Sequence, residues 1–396
     1  MVDVGFIAPL SNFEGKGPAP VGTYQGMTCR GIYDMAGNVK EWCFNKTPEG
    51  GRIIAGGGWN ETSCMFGADE KPPFVRDASF GFRCMKLLSD DDVWKRAGAS
   101  VRWRPPFVVG DQKPCSDEAF QIIRRLYDYN KSELQPTIEA TEDVSVSTRR
   151  ERVSFNAAYG NERMIAYLYL PRTSKPPFQT EVYFPAGIVF MLDSIDKAPK
   201  SPKIIDQINT RSGRAFVVPV LRGAFERKIP PEKQGNTTES ENGIMWAKDY
   251  RRTLDYLETR PKDFDMNKVA FVGASSGAWW GGILPAIEPR IKVAIMEGGG
   301  FWPNAGSFSF PAAPYPPEYS QVNFAPRIKI PILLQGGRYD TFFPVEENQK
   351  PFLKLFGTAE QDRQLKLYET AHALWSMNEP IQDERAFLDQ YFGSAK

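Results

Sequence analysis

Histidine is nearly absent from this sequence, which contains a single one, His372, among 396 residues. Cysteine is scarce as well, because five occur and all of them precede residue 116. A single histidine cannot form the pair of histidine ligands of a zinc finger, and no C-x-x-C pair is present. We therefore expect neither a metal nor a cofactor. We also expect reduced structural cysteines, with one or two disulfide bridges in the N-terminal part as the alternative.

An excess of one charge and a long apolar run are also missing. Lys and Arg total 49 against 48 Asp and Glu, which gives a net charge of +1. This balance indicates neither nucleic acid nor an anionic membrane as a partner. No stretch approaches the roughly 18 apolar residues of a membrane-spanning helix. Residues 1–13 lack the basic and apolar segments of a signal peptide, so we expect a cytoplasmic protein of unknown oligomeric state.

Three regions differ in composition, and the length of the chain suggests two domains. Residues 1–88 are rich in glycine and aromatic residues, which predicts an irregular module with short strands. Residues 89–117 contain an acidic run and the pair Pro105-Pro106, as expected for a connector. Residues 118–396 are predicted to form the second, larger domain.

From residue 118 onward, short apolar runs alternate with segments of helical periodicity. The runs that predict strands are Glu181–Phe184, Ala215–Leu221, Val269–Val272, Val293–Met296, Ile332–Leu334 and Leu365–Tyr368. Two further strands, Arg152–Ala158 and Met164–Leu170, predict a hairpin, and Ala119–Asn130 and Ile244–Arg260 predict helices. This alternation predicts an α/β fold, in which a mostly parallel sheet carries helices on both faces.

The segment Gly273-Ala274-Ser275-Ser276-Gly277 matches the pattern G-x-S-x-G between an apolar run and a potential helix. In that setting the serine projects its Oγ atom from a sharp turn, and the glycines leave room for the folded backbone. We therefore predict that Ser275 is a nucleophile and that the Ser276 N–H is an oxyanion donor. The alternative is a strand-to-helix turn without chemistry.

A serine hydroxyl needs a base, and His372 is the one histidine that can serve. It follows the last predicted strand, which fits the chain order serine, acid, histidine of α/β-hydrolases. The acid should follow a late strand between the other two residues. Asp340, after Ile332–Leu334, fits best, and Glu297 is the runner-up.

A second oxyanion donor is expected in the loop after Glu181–Phe184. Pro185 has no N–H, so the donor is Ala186, Gly187 or Ile188, of which Gly187 is favoured. Several aromatic side chains could line an apolar pocket for an acyl or aryl group, or could simply pack in the core. These are Trp279, Trp280, Phe301, Trp302 and Trp375.

The region 118–396 resembles the α/β-hydrolases. Residues 157–171 and the loop 182–187 resemble the hydrolase portion of large bacterial proteins. In those proteins a serine/threonine kinase, a sulfatase-modifying-factor module and a hydrolase are fused. The resemblance implies cleavage of small carboxylic esters through an acyl-enzyme, although peptidases and thioesterases use the same groups.

The N-terminal region resembles the formylglycine-generating enzymes. The motifs are Pro20–Tyr24, Gly31–Trp42, Ala55–Trp59 and Gly81–Cys84. They match only the C-terminal part of that fold, which implies a truncated module. Glu61 and Phe66 stand where the family has its cysteine pair, with Cys64 between them. Asn38 and Glu41 correspond to the family's calcium site, and we expect a structural turn and a surface carboxylate instead.

Three functions compete on these observations. The favoured one is a serine esterase that acts on a small-molecule ester. The second is a hydrolase fold without activity, which serves as a binding or regulatory module of a larger signalling protein. The third, a formylglycine-type oxidase, requires the cysteine pair that residues 61 and 66 do not supply.

Overall fold

The residues that the structure describes form two β-sheets, one of four strands and one of nine. The computed structural model describes residues 10–13, 15–48, 50–61, 68–86, 98–101, 113–198, 205, 212–229, 238–301, 315–340, 342–372, 374 and 377–395. Within these residues, no helix is long and apolar enough to cross a membrane.

The small sheet occupies the N-terminal part. Its strands are β1 (Lys40–Lys46), β2 (Arg52–Ala55), β3 (Ala68–Lys71) and β4 (Phe80–Gly81). β2 pairs antiparallel with both β1 and β3, whereas β4 runs parallel to β1. These short strands confirm the prediction of a small irregular module. Val101 donates its N–H to the carbonyl of Lys46 over 2.8 Å, so one residue of the predicted connector contacts the end of β1. The domain boundaries at 88 and 117 stay predictions.

The large region contains the longer elements. In chain order they are α1 (Asp117–Arg125), β5 (Thr137–Asp143), β6 (Thr148–Asn156), β7 (Arg163–Pro171), β8 (Phe178–Phe184), β9 (Ala215–Val220), α2 (Glu239–Glu258), β10 (Phe264–Ala274), α3 (Ser276–Trp280), α4 (Leu284–Ile287), β11 (Ile291–Glu297), α5 (Gln321–Phe324), β12 (Ile332–Gly337), α6 (Lys350–Leu355), β13 (Arg363–Tyr368) and α7 (Asn378–Phe392). Short 3-10 helices lie at Gly187–Phe190, Ile195–Lys197, Phe225–Arg227, Pro317–Tyr319, Ala325–Arg327 and Glu360–Asp362, and a π-helix at Val345–Gln349.

The nine-stranded sheet has the order β13-β12-β11-β10-β8-β9-β7-β6-β5. The six strands from β13 to β9 in this order run parallel, and β7, β6 and β5 continue the sheet antiparallel. Every residue of β8, β9 and β12 is buried, as expected for strands that are covered on both faces. The predicted mostly parallel sheet is therefore confirmed. Its parallel strands end at one edge, where loops can meet.

Two elements differ from the sequence prediction. β5 was not predicted, because all its residues are exposed at the sheet edge and only Ile138 and Ala140 among them are apolar, so no apolar run marks it. α1 begins at its N-cap Ser116 and ends at Arg125, before the predicted Asn130. Just beyond that end, the carbonyl of Tyr127 accepts a hydrogen bond from Arg251 of α2 over 2.6 Å, and this contact replaces a helical partner.

Candidate active site

The G-x-S-x-G segment forms the junction between β10 and α3. Ser275 has φ 54° and ψ −116°, a conformation that is strained for a residue with a side chain. A Cβ atom at Gly273 would lie 2.5 Å from the Gly277 carbonyl oxygen, and one at Gly277 would overlap the Phe184 carbonyl. Both glycines are therefore needed for the backbone to turn this tightly beside β8. The Ser275 N–H donates to the carbonyl of Glu297 over 2.8 Å, which ties the turn to β11.

The side chains of three predicted site residues lie within hydrogen-bonding distance of one another. His372 Nε2 is 2.8 Å from Ser275 Oγ, and His372 Nδ1 is 2.9 Å from Asp340 Oδ2. His372 and Asp340 are buried, with exposed fractions of 7% and 3%. With Nδ1–H donating to the carboxylate, Nε2 can accept the proton of the serine hydroxyl. The arrangement can therefore activate Ser275.

Asp340 lies in a turn formed by residues 337–340 and 342–343, which we call the acid turn. The second carboxylate oxygen, Oδ1, accepts the N–H groups of Phe342 and Phe343 over 2.8 and 3.0 Å. A Cβ atom at Gly337 would overlap the carbonyl of Ala371, so this glycine lets the histidine loop approach the turn. The Tyr339 N–H donates to the carbonyl of Thr370 over 3.0 Å and joins the two segments directly.

Two phenyl rings and one glycine beside His372 were not among the predicted site residues. The rings of Phe342 and Phe343 lie 4.8 and 5.7 Å from the imidazole, centroid to centroid. Gly298 has φ 56°, and a Cβ atom there would lie 3.0 Å from the His372 carbonyl oxygen. The glycine run that follows Glu297 is a sequence signal for this close approach, whereas nothing marked the two phenylalanines.

The predicted oxyanion donors are neighbours. Gly187 begins a 3-10 helix after β8, and a Cβ atom on it would lie 3.2 Å from the hydroxyl oxygen of Ser276. Phe190, in the same helix, packs on Trp246 of α2 with ring centroids 4.6 Å apart. Trp246 in turn donates its indole N–H to the carbonyl of Arg222 over 2.8 Å. The segment that carries Gly187 is thus held beside the start of α3.

The predicted pocket aromatics are found in packed surroundings where the structure describes them. Trp279 and Trp280 are 3% and 2% exposed and lie 4.6 and 5.5 Å from the ring of Tyr319. Phe301 is also buried, and its ring lies 6.4 Å from that of Phe352. Trp302 and Trp375 lie outside the described residues. A role of these five aromatics in substrate binding stays a prediction.

No cluster of three or more His, Cys, Asp or Glu side chains that could hold a metal occurs in the described part of the chain. The Asn38 side-chain amide accepts the Ala19 N–H and donates to the Ala19 carbonyl. The Glu41 carboxylate accepts a hydrogen bond from the guanidinium of Arg83. Four described cysteines are free thiols, namely Cys29, Cys43, Cys84 and Cys115.

Glu61, which stands where the formylglycine-generating enzymes have a cysteine, forms a structural ion pair. Glu61 Oε1 lies 2.7 Å from the ammonium of Lys40, which is fully buried, and Glu61 Oε2 accepts the Gly58 N–H over 2.9 Å. This carboxylate therefore fastens the turn after β2 to β1. Cys64 and Phe66, the other positions of that comparison, lie outside the described residues.

Comparisons with known proteins give separate results for the two regions. Residues 8–88 match the family model described as a sulfatase-modifying factor enzyme 1-like domain. Acetyl xylan esterase 1 from Thermoanaerobacterium sp. JW/SL YS485 superposes with a TM-score of 0.53 at 15% identity, over 71% of this chain and 96% of its own. The acetyl xylan esterase from Paenibacillus sp. R4 gives 0.53 at 16% identity, over 71% and 98%.

The large domain has the α/β-hydrolase fold. At such low identity, the two superpositions establish the fold alone. A search of curated proteins found no significant match. The predicted organisation, a hydrolase-fold domain joined to a module like the sulfatase-modifying factor, is confirmed by the two findings together.

Proposed function

We propose that this protein is a serine hydrolase that cleaves carboxylic esters through an acyl-enzyme intermediate. The observation that carries the proposal is the hydrogen-bonded series from Ser275 Oγ through the His372 imidazole to the Asp340 carboxylate, with distances of 2.8 and 2.9 Å. Nucleophile, base and acid in this relation form the standard arrangement for acyl transfer. The hydrolase fold supplies the elbow and the late loops on which they lie.

In the first half of the proposed reaction, Ser275 Oγ attacks the carbonyl carbon of the ester while His372 Nε2 takes the hydroxyl proton. The carbonyl π electrons move to the oxygen, and the N–H groups of Ser276 and Gly187 stabilise the resulting oxyanion. Collapse of the tetrahedral intermediate breaks the bond to the alcohol oxygen, which receives the proton from His372. Asp340 stabilises the imidazolium that exists between these two proton transfers.

In the second half, a water molecule attacks the acyl-enzyme while His372 again takes a proton. The tetrahedral intermediate collapses with release of the carboxylic acid, and the proton returns to Ser275 Oγ. Each step uses the same base and the same oxyanion donors, so no further reacting group is required. Two structurally similar proteins are named acetyl xylan esterases, which makes acetylated xylan one substrate to test.

The nucleophile can be tested by replacing Ser275 with alanine. We expect Ser275→Ala to lower kcat by about 10⁴ to 10⁶ on p-nitrophenyl esters of graded acyl length. A fluorophosphonate probe should label the unsubstituted protein, and peptide mass spectrometry should locate the label on Ser275. Thioester and amide substrates in the same assay distinguish the related activities.

The matched control is Ser154→Ala. Ser154 is a buried serine on β6 whose hydroxyl accepts a hydrogen bond from Arg163, so its loss tests general effects of a buried hydroxyl. This variant should keep its turnover. A folded Ser275→Ala protein with more than a tenth of the original activity would refute the assignment. Absence of labelling and turnover in the unsubstituted protein would favour a non-catalytic binding module.

A further inference from the structure

The acid turn is followed by a π-helix, Val345–Gln349, an uncommon conformation that often accompanies functional sites. Its last residue, Gln349, is fully buried. The side-chain nitrogen of Gln349 lies 2.7 Å from the carbonyl oxygen of Phe343 and 3.3 Å from that of Gly337. These two carbonyls belong to the last and first residues of the acid turn. One side chain therefore spans the segment that carries Asp340.

The chemistry of the amide matches this position. A primary amide nitrogen carries two hydrogens, so Gln349 can donate one to each carbonyl at the same time. The reversed amide orientation would place its oxygen against two carbonyl oxygens, which is unfavourable in a buried site. A carboxylate or an apolar side chain of similar size could not provide both donors.

The bonds of Gln349 bear directly on the orientation of Asp340. The Phe343 N–H donates to Asp340 Oδ1, while the carbonyl of the same residue accepts from Gln349. The Gly337 carbonyl, which also accepts from Gln349, takes a hydrogen bond from the Asp340 N–H over 3.3 Å. Fixing both ends of the turn thus fixes the direction in which the other carboxylate oxygen meets His372.

We propose that Gln349 is a positioning residue, which holds Asp340 in hydrogen-bonding geometry with His372 through the two N–H groups of its side chain. The proposal rests on the proposed function for its effect on turnover. It extends that function, because the described hydrogen bonds of the Gln349 side chain go to the acid turn. Its contribution is expected only through Asp340.

Gly336 gives independent support from packing. A Cβ atom at this position would overlap the amide oxygen of Gln349 and approach its nitrogen to 2.8 Å. Gly336 has no positive φ, so its backbone would tolerate alanine. The missing side chain therefore leaves space for the Gln349 amide beside β12. Gly336→Ala is a second way to displace that amide without removing it.

The main test compares two buried glutamines. Gln349→Met keeps the length of the side chain but removes both donors. The control is Gln335→Met, because Gln335 is equally buried and donates to Tyr368 Oη and to the Pro380 carbonyl over 3.0 and 2.7 Å. We expect Gln349→Met to lower kcat about 10- to 100-fold with KM within about twofold, since small misplacements of reacting groups have effects of this size. The control should change kcat less than about twofold, by the same reasoning.

The protonation of the single imidazole gives a readout that requires no substrate. His372 is the only histidine, so a histidine-selective NMR titration of the full chain follows one imidazole. Loss of the carboxylate contact removes stabilisation from the imidazolium, so Gln349→Met should move the titration midpoint to lower pH. Among the described residues, the titratable side chains on the segments 297–298, 337–340, 342–343 and 369–371 beside His372 are Asp340, Arg338, Tyr339, Glu297 and Glu369, and both methionine variants leave them in place.

A double-mutant cycle separates positioning from a general structural role. If Gln349 acts through Asp340, adding Gln349→Met to Asp340→Asn should lower kcat less than about twofold further. The proposal fails if the two factors multiply, or if Gln349→Met leaves both kcat and the imidazole midpoint unchanged. If Gln349→Met does not fold, Gly336→Ala must show the same midpoint change, and its absence overturns the proposal. Without any ester turnover the proposed function fails, while the NMR titration still decides this inference.

Discussion

The N-terminal sheet and the hydrolase-fold domain differ in how they use apolar side chains. In the described residues before 113, Ile53 and Ile54 are the only buried large hydrophobic side chains. The same region contributes 11 of the 16 large hydrophobic side chains that are exposed in the described chain, including Phe74 at 88% and Phe82 at 74%. The large domain instead encloses one continuous core around its sheet. The small sheet thus exposes apolar side chains to solvent, whereas the large domain buries its own apolar side chains in its core.

The two regions also differ in how they use charged side chains. In the N-terminal sheet, Lys40 and Glu61 pair with each other and hold a turn. In the large domain, Asp340 and His372 come from separate loops and meet at a serine in a strained turn. Recognisable family motifs therefore occur in both regions, but a serine, a histidine and an aspartate within hydrogen-bonding distance of one another are found in the second. Resemblance in sequence indicates a fold, while the site must be argued from geometry.

Replacement of the acid tests this contrast most strongly. Asp340→Asn preserves the shape of the side chain but removes the charge that stabilises the imidazolium, so kcat should fall by about 10³ to 10⁴. Glu297→Gln is the control, because Glu297 ends the neighbouring strand and is also buried. It should lower kcat far less. If kinetics on p-nitrophenyl acetate rank the two variants in the opposite order, the acid lies on β11.

The pH dependence of turnover is expected to show a single limb, because one imidazole, His372, acts as the base in the proposed mechanism. The imidazole must be neutral to accept the serine proton, so kcat/KM should rise with pH through one limb and be lost as pH falls below it. Metal chelators should leave the rate unchanged. Loss of activity with EDTA and its recovery with added zinc would contradict a mechanism that uses only these side chains.

The sequence predicted the fold of the large domain because periodic apolar runs determine it directly. The runs Ala215–Leu221 and Ile332–Leu334 coincide with β9 and β12 to within a few residues. The positions of Ser275, Asp340 and His372 were predicted from a short motif and from chain order. Their mutual distances depend on strand order and loop approach, which no local pattern encodes.

Other features gave no sequence signal, for physical reasons. β5 pairs with the edge strand β6, and its seven residues are all exposed with only Ile138 and Ala140 apolar, which is too short a pattern to predict a strand. Gln349 lies five residues after Pro344 in a segment without strong periodicity, and the two carbonyls that it binds belong to residues 6 and 12 positions earlier in the chain. Gln349 ends a π-helix, and the intrinsic helix propensities of its residues do not predict such a conformation.

Removal of the N-terminal sheet is expected to have the smallest effect on catalysis. Partial burial and the hydrogen bond to Glu369 raise the pKa of Tyr339, and the charge of Glu70 on β3 adds to this shift. Among the described contacts, the small sheet supplies no hydrogen bond to Asp340. We predict that it is a structural appendage. A fragment of residues 113–396 should keep kcat within about twofold of the full chain and lose thermal stability, since its reacting groups stay in place.

A variant of the full chain tests the same prediction without truncation. Glu61→Gln removes the charge that pairs with the buried Lys40, which should lower the stability of the small sheet by about 1 to 3 kcal/mol. This is less than for a fully buried pair, because Glu61 is 24% exposed. Thermal unfolding and ester kinetics on the same sample separate the two effects. A stable fragment or variant that loses turnover would mean that the N-terminal sheet shapes the active site. Oxidation of a cysteine-containing peptide by the full chain would show that the N-terminal region catalyses a reaction of its own.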